Sequence, residues 1–163
     1  MSGGGSSLWW VVPLTSLFAA GVGASAAFAG LVWRYRADYK RDIVLDLLDL
    51  IQHAADTATD YWILDPKTPD EHKQALSLEA RIMGLSERID AGLDAARPYL
   101  RKIDTLGMEI PWSGFLDNLS GGQFSNPTRD ADLTRAQDVQ IAAATLIRDL
   151  RIAADSKFLN GRP

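Results

Sequence analysis

The N-terminal part of the chain carries no charged side chain, and this constrains the fold more than any other feature. The 17 basic and 21 acidic residues of the 163-residue chain all lie at or after Arg34. Leu8 to Trp33 is a charge-free, largely apolar stretch, and as a helix rising about 1.5 Å per residue it would reach about 39 Å. That is enough to cross a hydrocarbon layer of roughly 30 Å. Tryptophans stand at both ends, Trp9 and Trp10 at one and Trp33 at the other, as is typical of membrane–water interfaces. The sequence therefore predicts a transmembrane helix over residues 8–33.

A cleavable signal peptide is the main alternative to a retained span. Ala27, Phe28 and Ala29 form a small-x-small pattern that resembles a processing site. Secretory signals begin with basic residues, however, and residues 1–7 contain none. The charge-free stretch is also longer than the apolar region of a usual signal peptide, so we expect the span to be retained.

Basic residues follow the predicted span and none precedes it, which predicts its orientation. Arg34, Arg36, Lys40 and Arg41 come directly after the span. Because positive residues are retained on the cytoplasmic side, residues 1–7 are expected outside and residues 34–163 in the cytoplasm. The absence of cysteine fits a reducing compartment.

The second half of the predicted span consists almost entirely of small residues. From Ala19 to Gly30, only Val22 and Phe28 are larger than serine. Small residues four apart let helix backbones approach closely, and such packing drives helix association in lipid. The predicted packing positions are Ala19, Gly23, Ala27 and Gly30. Small residues on nearly every side favour self-association, up to a closed ring, and the alternative is an alanine-rich anchor without partners.

The rest of the chain has the apolar periodicity of packed helices, which predicts an all-α fold. No Gly or Pro occurs between Gly30 and Pro66, so the membrane helix is expected to continue into a cytoplasmic three- or four-helix bundle. Thr68, Pro69 and Glu71 predict the start of a second helix, Pro98 a kink or break in it, and Gly107 its end. Asn126–Pro127 predicts the start of the last helix. The predicted inner faces are Ile43, Leu47, Leu50, Ala54 and Tyr61 with Val44, Leu48, Ile51, Ala55, Ala58 and Trp62; Leu78, Ile82, Leu85, Ile89, Leu93, Ala96, Leu100 and Ile103; and Val139, Ala143, Leu146, Leu150 and Ala153.

Residues 107–127 differ from the rest because turn formers alternate with large apolar side chains. We expect a long loop here, with a short helix possible over residues 113–119. Its large side chains would either cap the open end of the bundle or form a docking or gating element that meets a partner. The residues proposed for docking are Trp112, Phe115, Leu116 and Phe124.

An acidic stripe follows one face of the first soluble helix. It comprises Asp42, Asp46, Asp49, Asp56 and Asp60, with His53 among them. A solvated face is the simplest interpretation, and a metal site is disfavoured because bundle sites draw ligands from facing helices. If subunits form a ring, the stripe would instead line a lumen and concentrate cations there.

The chain lacks the residue sets that would indicate an enzyme. There is no cysteine, only two histidines, and no phosphate-binding loop, so we expect neither catalysis nor a cofactor. The acidic body also argues against broad nucleic-acid binding. Two kinds of partner remain as alternatives: a cytosolic protein, and a small anionic signal bound by basic residues. The basic residues considered for the signal are Arg97, Arg101, Lys102, Arg148 and Arg151.

This layout, one span followed by a small helical domain, resembles that of compact membrane effectors of bacterial anti-phage systems. Some of those effectors assemble into pores that disrupt the membrane. The resemblance implies a homo-oligomeric, pore-forming or membrane-disrupting protein of the bacterial inner membrane, controlled through its cytoplasmic domain. The alternative function is a membrane-anchored scaffold or adaptor that recruits a cytosolic partner.

Overall fold

The structure, a computed structural model, describes the backbone of residues 11–100 and 102–158 and the side chains of residues 28–36, 38–100 and 111–154. Its helices are α1 (Val11–Ile63), α2 (Pro69–Ala96), α3 (Lys102–Ser120) and α4 (Leu133–Phe158), with a short 3₁₀ turn at Arg97–Tyr99. The described backbone contains no strand, so the prediction of an all-α fold is confirmed.

The chain divides into two compact units, Met1–Tyr39 and Lys40–Pro163. Within the part that the structure describes, no helix is long and apolar enough to cross a membrane. Residues 8–27 of the predicted span, with Ala19, Gly23 and Ala27, lie outside the described side chains. Gly30 is described, is exposed and has open space around its Cα. The transmembrane helix therefore stays a prediction.

The second unit is a helical bundle with one apolar core. The predicted inner faces are confirmed: twelve of their side chains on α1, α2 and α4 are completely shielded from solvent, and most of the others are buried or half-buried. Ile103 lies outside the described side chains. Burial of this apolar surface is the main force that holds the helices together. The twelve are Ile51, Ala54, Ala55, Ala58, Tyr61, Ile82, Ile89, Ala96, Val139, Leu146, Leu150 and Ala153.

Helix α2 begins where the sequence predicts and ends at the predicted break near Pro98. The prediction that Gly107 ends it is wrong, because residue 107 lies inside α3. Thr68 is its N-cap, and the Thr68 side chain accepts a hydrogen bond from the Glu71 amide at 3.3 Å. The Thr68 hydroxyl also donates to the Glu71 carboxylate at 2.8 Å, while Pro69 occupies the first turn. At the other end, α2 stops at Ala96 and the chain continues as the 3₁₀ turn that contains Pro98. Proline lacks the amide hydrogen that a continuing α-helix would need at that point.

The prediction of a loop over residues 107–127 is corrected by helix α3, which runs through Ser120 and contains Pro111. Phe115 and Leu119, four residues apart, are completely buried. Their burial outweighs the unfavourable helix propensity of Pro111 and Gly114, because tertiary packing overrides local propensity. Within residues 107–127 the irregular chain begins only at residue 121, and it continues to residue 132.

The last helix also begins later than predicted. Helix α4 starts at Leu133, where the Asp132 carboxylate accepts a hydrogen bond from the Arg135 amide at 2.9 Å. The Asn126 side chain instead accepts from the Thr128 amide at 3.0 Å and from the Thr128 hydroxyl at 2.9 Å. Asn126 therefore forms a local turn, an alternative use of the same side-chain chemistry.

Candidate functional site

Residues 28–39 of α1 present an unusual concentration of large apolar and aromatic side chains to solvent. Five of them are between 55% and 74% exposed, and the exposed arginines Arg34 and Arg36 lie among them. Single exposed apolar residues are common on proteins, but a dense group marks a surface that contacts something other than water. The five are Phe28, Leu31, Trp33, Tyr35 and Tyr39.

The helical register arranges this segment. Phe28, Leu31, Tyr35 and Tyr39 follow one another at intervals of three or four residues and therefore share one face of the helix. Tyrosine and tryptophan have an apolar ring with a polar edge, which suits the boundary between lipid and water. Residues 28–39 therefore combine exposed aromatic rings with two arginines, and we call them the aromatic–arginine segment.

The predicted acidic stripe is exposed along its whole length. Asp42, Asp46, Asp49, His53, Asp56 and Asp60 all lie on the surface of the bundle. Among the residues that the structure describes, no group of three or more His, Cys, Asp or Glu side chains is placed to hold a metal ion. A solvated face and a luminal face both require exposure, so these two alternatives remain.

Near its C-terminal end, the stripe contacts α4 through side-chain amides. The Asp56 carboxylate accepts hydrogen bonds from Gln52 at 2.9 Å and from Gln140 at 3.2 Å. The Gln140 amide also donates to the Thr59 hydroxyl at 2.9 Å. Asp56 is thus tied to the bundle, which distinguishes it from Asp42 and Asp46 at the start of the stripe.

The residues predicted to dock a partner lie in or against the core. Phe115 is buried, and Trp112, Leu116 and Phe124 pack against the buried cluster. The Phe124 ring centroid lies 5.0 Å from that of Tyr61, and the Trp112 and Phe115 centroids are 6.0 Å apart. This placement matches the capping alternative for Phe115, while the half-buried Trp112, Leu116 and Phe124 keep part of their surface exposed.

The sequence did not single out Arg129, which is only 2% exposed. Its guanidinium donates hydrogen bonds to the carbonyl oxygens of Leu64 at 2.9 Å and Tyr61 at 2.5 Å. It also lies over the Tyr61 ring, 4.1 Å from the ring centroid. Among the described residues its Nε–H has no partner. Arg129 therefore places a positive charge where the carbonyl groups at the C-terminal end of α1 concentrate negative charge.

Arg135 likewise places a positive charge beside carbonyl oxygens, in this case at the C-terminal end of α3. Its guanidinium donates to the carbonyl oxygens of Gly121 at 2.7 Å and Asp117 at 3.1 Å, and it lies 4.9 Å from the Trp62 ring centroid. Gly122 has φ of +64°, and a side chain at this position would collide with the guanidinium. Glycine at position 122 thus tolerates the left-handed backbone conformation and leaves room for the Arg135 guanidinium.

A cavity of about 290 Å³ lies beside these two arginines. Trp62, Arg129 and Arg135 form part of its wall, and Asp130 and Asp132 form another part. Because the guanidinium groups already donate to carbonyl oxygens and two carboxylates share the wall, the cavity does not present a cationic surface.

The basic residues considered for an anionic signal lie elsewhere. Arg97 pairs with Asp94 at 3.4 Å and Arg148 with Asp149 at 3.0 Å, both on the surface, and Arg151 is exposed. The side chains of Arg101 and Lys102 lie outside the described residues. Arg97 and Arg148 are therefore each paired with a nearby carboxylate.

Tyr61 connects three parts of the bundle. Its hydroxyl donates to the Glu79 carboxylate at 3.0 Å and accepts from the Ser125 amide at 3.0 Å, while the Ser125 hydroxyl donates to Glu79 at 3.0 Å. Burial raises the pKa of Tyr61 above its ordinary value, so the hydroxyl stays protonated and keeps donating. These contacts hold residues 121–132 against α1 and α2.

An ion-pair group lies on the surface beside the same end of the bundle. The Lys67 ammonium contacts Asp130 and, at 3.2 Å, Asp65. The hydrogen bond to Asp130 raises the pKa of Lys67, and the same bond lowers the pKa of Asp130. Since the groups are exposed, water and salt screen this pairing, and it contributes little to stability.

Comparison of the chain with known protein families, curated proteins and solved structures gives no match.

Proposed function

We propose that this chain is a single-span membrane protein that self-associates and disrupts or permeabilises the membrane. Its helical bundle would lie in the cytoplasm and would receive the controlling signal. The observation that carries the proposal is the aromatic–arginine segment, which begins within the last residues of a stretch without any charged residue and extends beyond it. On this proposal the chain acts at the inner membrane of a bacterium, with residues 1–7 outside.

The exposure of the large side chains in this segment supports contact with the membrane. Phe28, Leu31 and Tyr35 are among the exposed large apolar residues, and the described buried core begins only at Val44. Left in water, such a group of side chains would favour aggregation, whereas at a lipid–water boundary each ring has a suitable environment.

The composition of residues 19–30 supports self-association of the span. A lone anchor would be expected to present large aliphatic side chains to the acyl chains, but this stretch is composed almost entirely of Ala, Gly and Ser. Small residues would allow the helix backbones of neighbouring copies to approach closely, which would explain this composition.

Replacement of Gly23 by leucine is expected to abolish assembly and membrane damage together, because the added side chain separates the helix backbones. Oligomer size can be measured by cross-linking in membranes, and damage by dye entry into expressing bacteria. Val22→Leu is the matched control, since that position already carries a branched side chain. Normal assembly and damage in the Gly23 variant would refute small-residue packing at this site.

Asp42 and Asp46 are expected to make the pore cation-selective if the acidic stripe lines the lumen. Charge reversal at both positions should lower the ratio of cation to anion permeability several-fold, measured from reversal potentials of purified protein in planar bilayers. Reversal of Glu87 and Asp90, two exposed carboxylates of α2, is the matched control. Unchanged selectivity would exclude a luminal stripe, and absence of any current from the intact oligomer would exclude the pore.

The alternative function, a membrane-anchored adaptor, is favoured by exposed apolar residues on the bundle itself. Leu76 and Met83 of α2 are exposed and seven residues apart, and Ile141 and Ile152 of α4 are exposed and eleven apart. Both spacings place the two residues on one face of their helix. Such faces suit a protein partner, and exchange of the membrane span separates the two functions.

A further inference from the structure

We infer that Arg34 and Arg36 bind the headgroups of anionic phospholipids on the cytoplasmic side of the membrane. This inference rests on the proposed function, because it requires that residues 8–33 cross the bilayer. It adds a lipid class that the span alone does not specify. The site consists of the two arginines together with the exposed rings of Trp33, Tyr35 and Tyr39.

The helix places both arginines at one depth. Arg34 and Arg36 are about 3 Å apart along the axis, and Trp33 and Tyr35 alternate with them. The headgroup layer of each leaflet is roughly 5–7 Å thick, so the four side chains fit within it together. Phe28 and Leu31 then lie deeper, where their apolar side chains contact acyl chains.

The same geometry directs the arginines to different lipids. Two residues along an α-helix correspond to a rotation of about 200°, so Arg34 and Arg36 project from nearly opposite sides. Each planar guanidinium can donate two hydrogen bonds to one phosphate. The segment is thus able to hold at least one lipid on each side.

Charge favours an anionic headgroup over a zwitterionic one. Both kinds of lipid carry a phosphate, but a zwitterionic headgroup also carries a cation that cancels the attraction to arginine. Asp38 is the one carboxylate of the segment, and it lies about 6 Å beyond Arg34 toward the bundle. The arginines therefore dominate the potential at headgroup level.

The test uses the full chain reconstituted in phosphatidylcholine vesicles with a small amount of dansyl-labelled lipid. Energy transfer from tryptophan reports which labelled lipid is enriched around the protein. We expect dansyl-phosphatidylglycerol to be enriched over dansyl-phosphatidylcholine, and Arg34→Gln with Arg36→Gln to reduce that preference about tenfold. High salt should weaken the preference of the unaltered chain. The matched control is Arg81→Gln with Arg88→Gln, which removes the same charge from exposed positions on α2.

Flotation and alkaline extraction separate the two ways in which the experiment can fail. If the chain inserts into vesicles but both labelled lipids are enriched equally, the inference is overturned and the proposed membrane span stands. An equal loss of preference in the Arg81 and Arg88 control also overturns it, because the effect would then be general charge. If the unaltered chain does not float with vesicles or is extracted by alkali, the proposed span itself fails.

Discussion

Replacement of Arg129 by methionine is expected to lower the free energy of unfolding of the bundle by about 3–4 kcal/mol. The substitution keeps an apolar chain of similar length but removes the charged donor from the carbonyl oxygens of Tyr61 and Leu64. A hydrogen bond from a charged donor contributes about 1.5–3 kcal/mol, and two are lost here, while the Tyr61 carbonyl keeps the Leu64 amide at 3.3 Å. The contact between the guanidinium and the Tyr61 ring is lost as well. Urea unfolding of the full chain in detergent, followed by circular dichroism, measures the change.

Arg148→Met is the matched control for this experiment. Arg148 is exposed and pairs with its neighbour Asp149 at 3.0 Å, so its loss should change stability by less than about 0.5 kcal/mol. Arg129→Lys should recover only part of the lost stability, because one ammonium cannot reproduce the planar fork that reaches both carbonyl groups. Equal stability of the Arg129 and Arg148 variants would show that Arg129 does not stabilise the end of α1.

The helical faces of the bundle were predictable because burial imposes a period on the sequence. Leu47, Ile51 and Ala58 recur at intervals that place them on one side of a helix, and all three are buried. The start of α2 was predictable for a different reason. Thr68 and Pro69 act on backbone groups only a few residues away, so their effect is visible in the local sequence.

The contacts at the bundle end were not predictable from the same signals. Arg129 reaches carbonyl groups 65 and 68 residues earlier in the chain, and no spacing rule connects positions so far apart. In α3, Pro111 is a local signal against helix, yet burial of Phe115 and Leu119 outweighs it. Irregular segments and long-range polar contacts are therefore where local reasoning fails.

The acidic stripe was predictable in part only. The period of Asp42 and Asp46 places them on one face, and the structure shows that this face is exposed. Exposure does not distinguish water from a lumen, since that depends on the arrangement of several copies. Whether the stripe faces water or a lumen therefore depends on how several copies assemble, and local patterns in the sequence of one chain do not show this.

Exchange of residues 8–33 for a leucine-rich span of equal length is expected to reduce membrane permeabilisation to background. Large aliphatic side chains keep the helix in the bilayer but prevent the close backbone contact that Ala, Gly and Ser allow. Arg34 and the residues after it remain unchanged, so the orientation should persist. Dye entry into expressing bacteria measures the loss, and membrane fractionation confirms that the exchanged chain is still anchored.

An adaptor and a pore respond in opposite ways to this exchange. An adaptor needs only that its bundle be held at the membrane, so any span of the right length would preserve its function. A pore needs the particular surface of its span, because the subunits contact one another there. Full permeabilisation by the exchanged chain would exclude a pore built on residues 19–30. If the unaltered chain causes no dye entry but its bundle retains a cytosolic partner at the membrane, the adaptor is the function, with Leu76, Met83, Ile141 and Ile152 the first positions to substitute with serine.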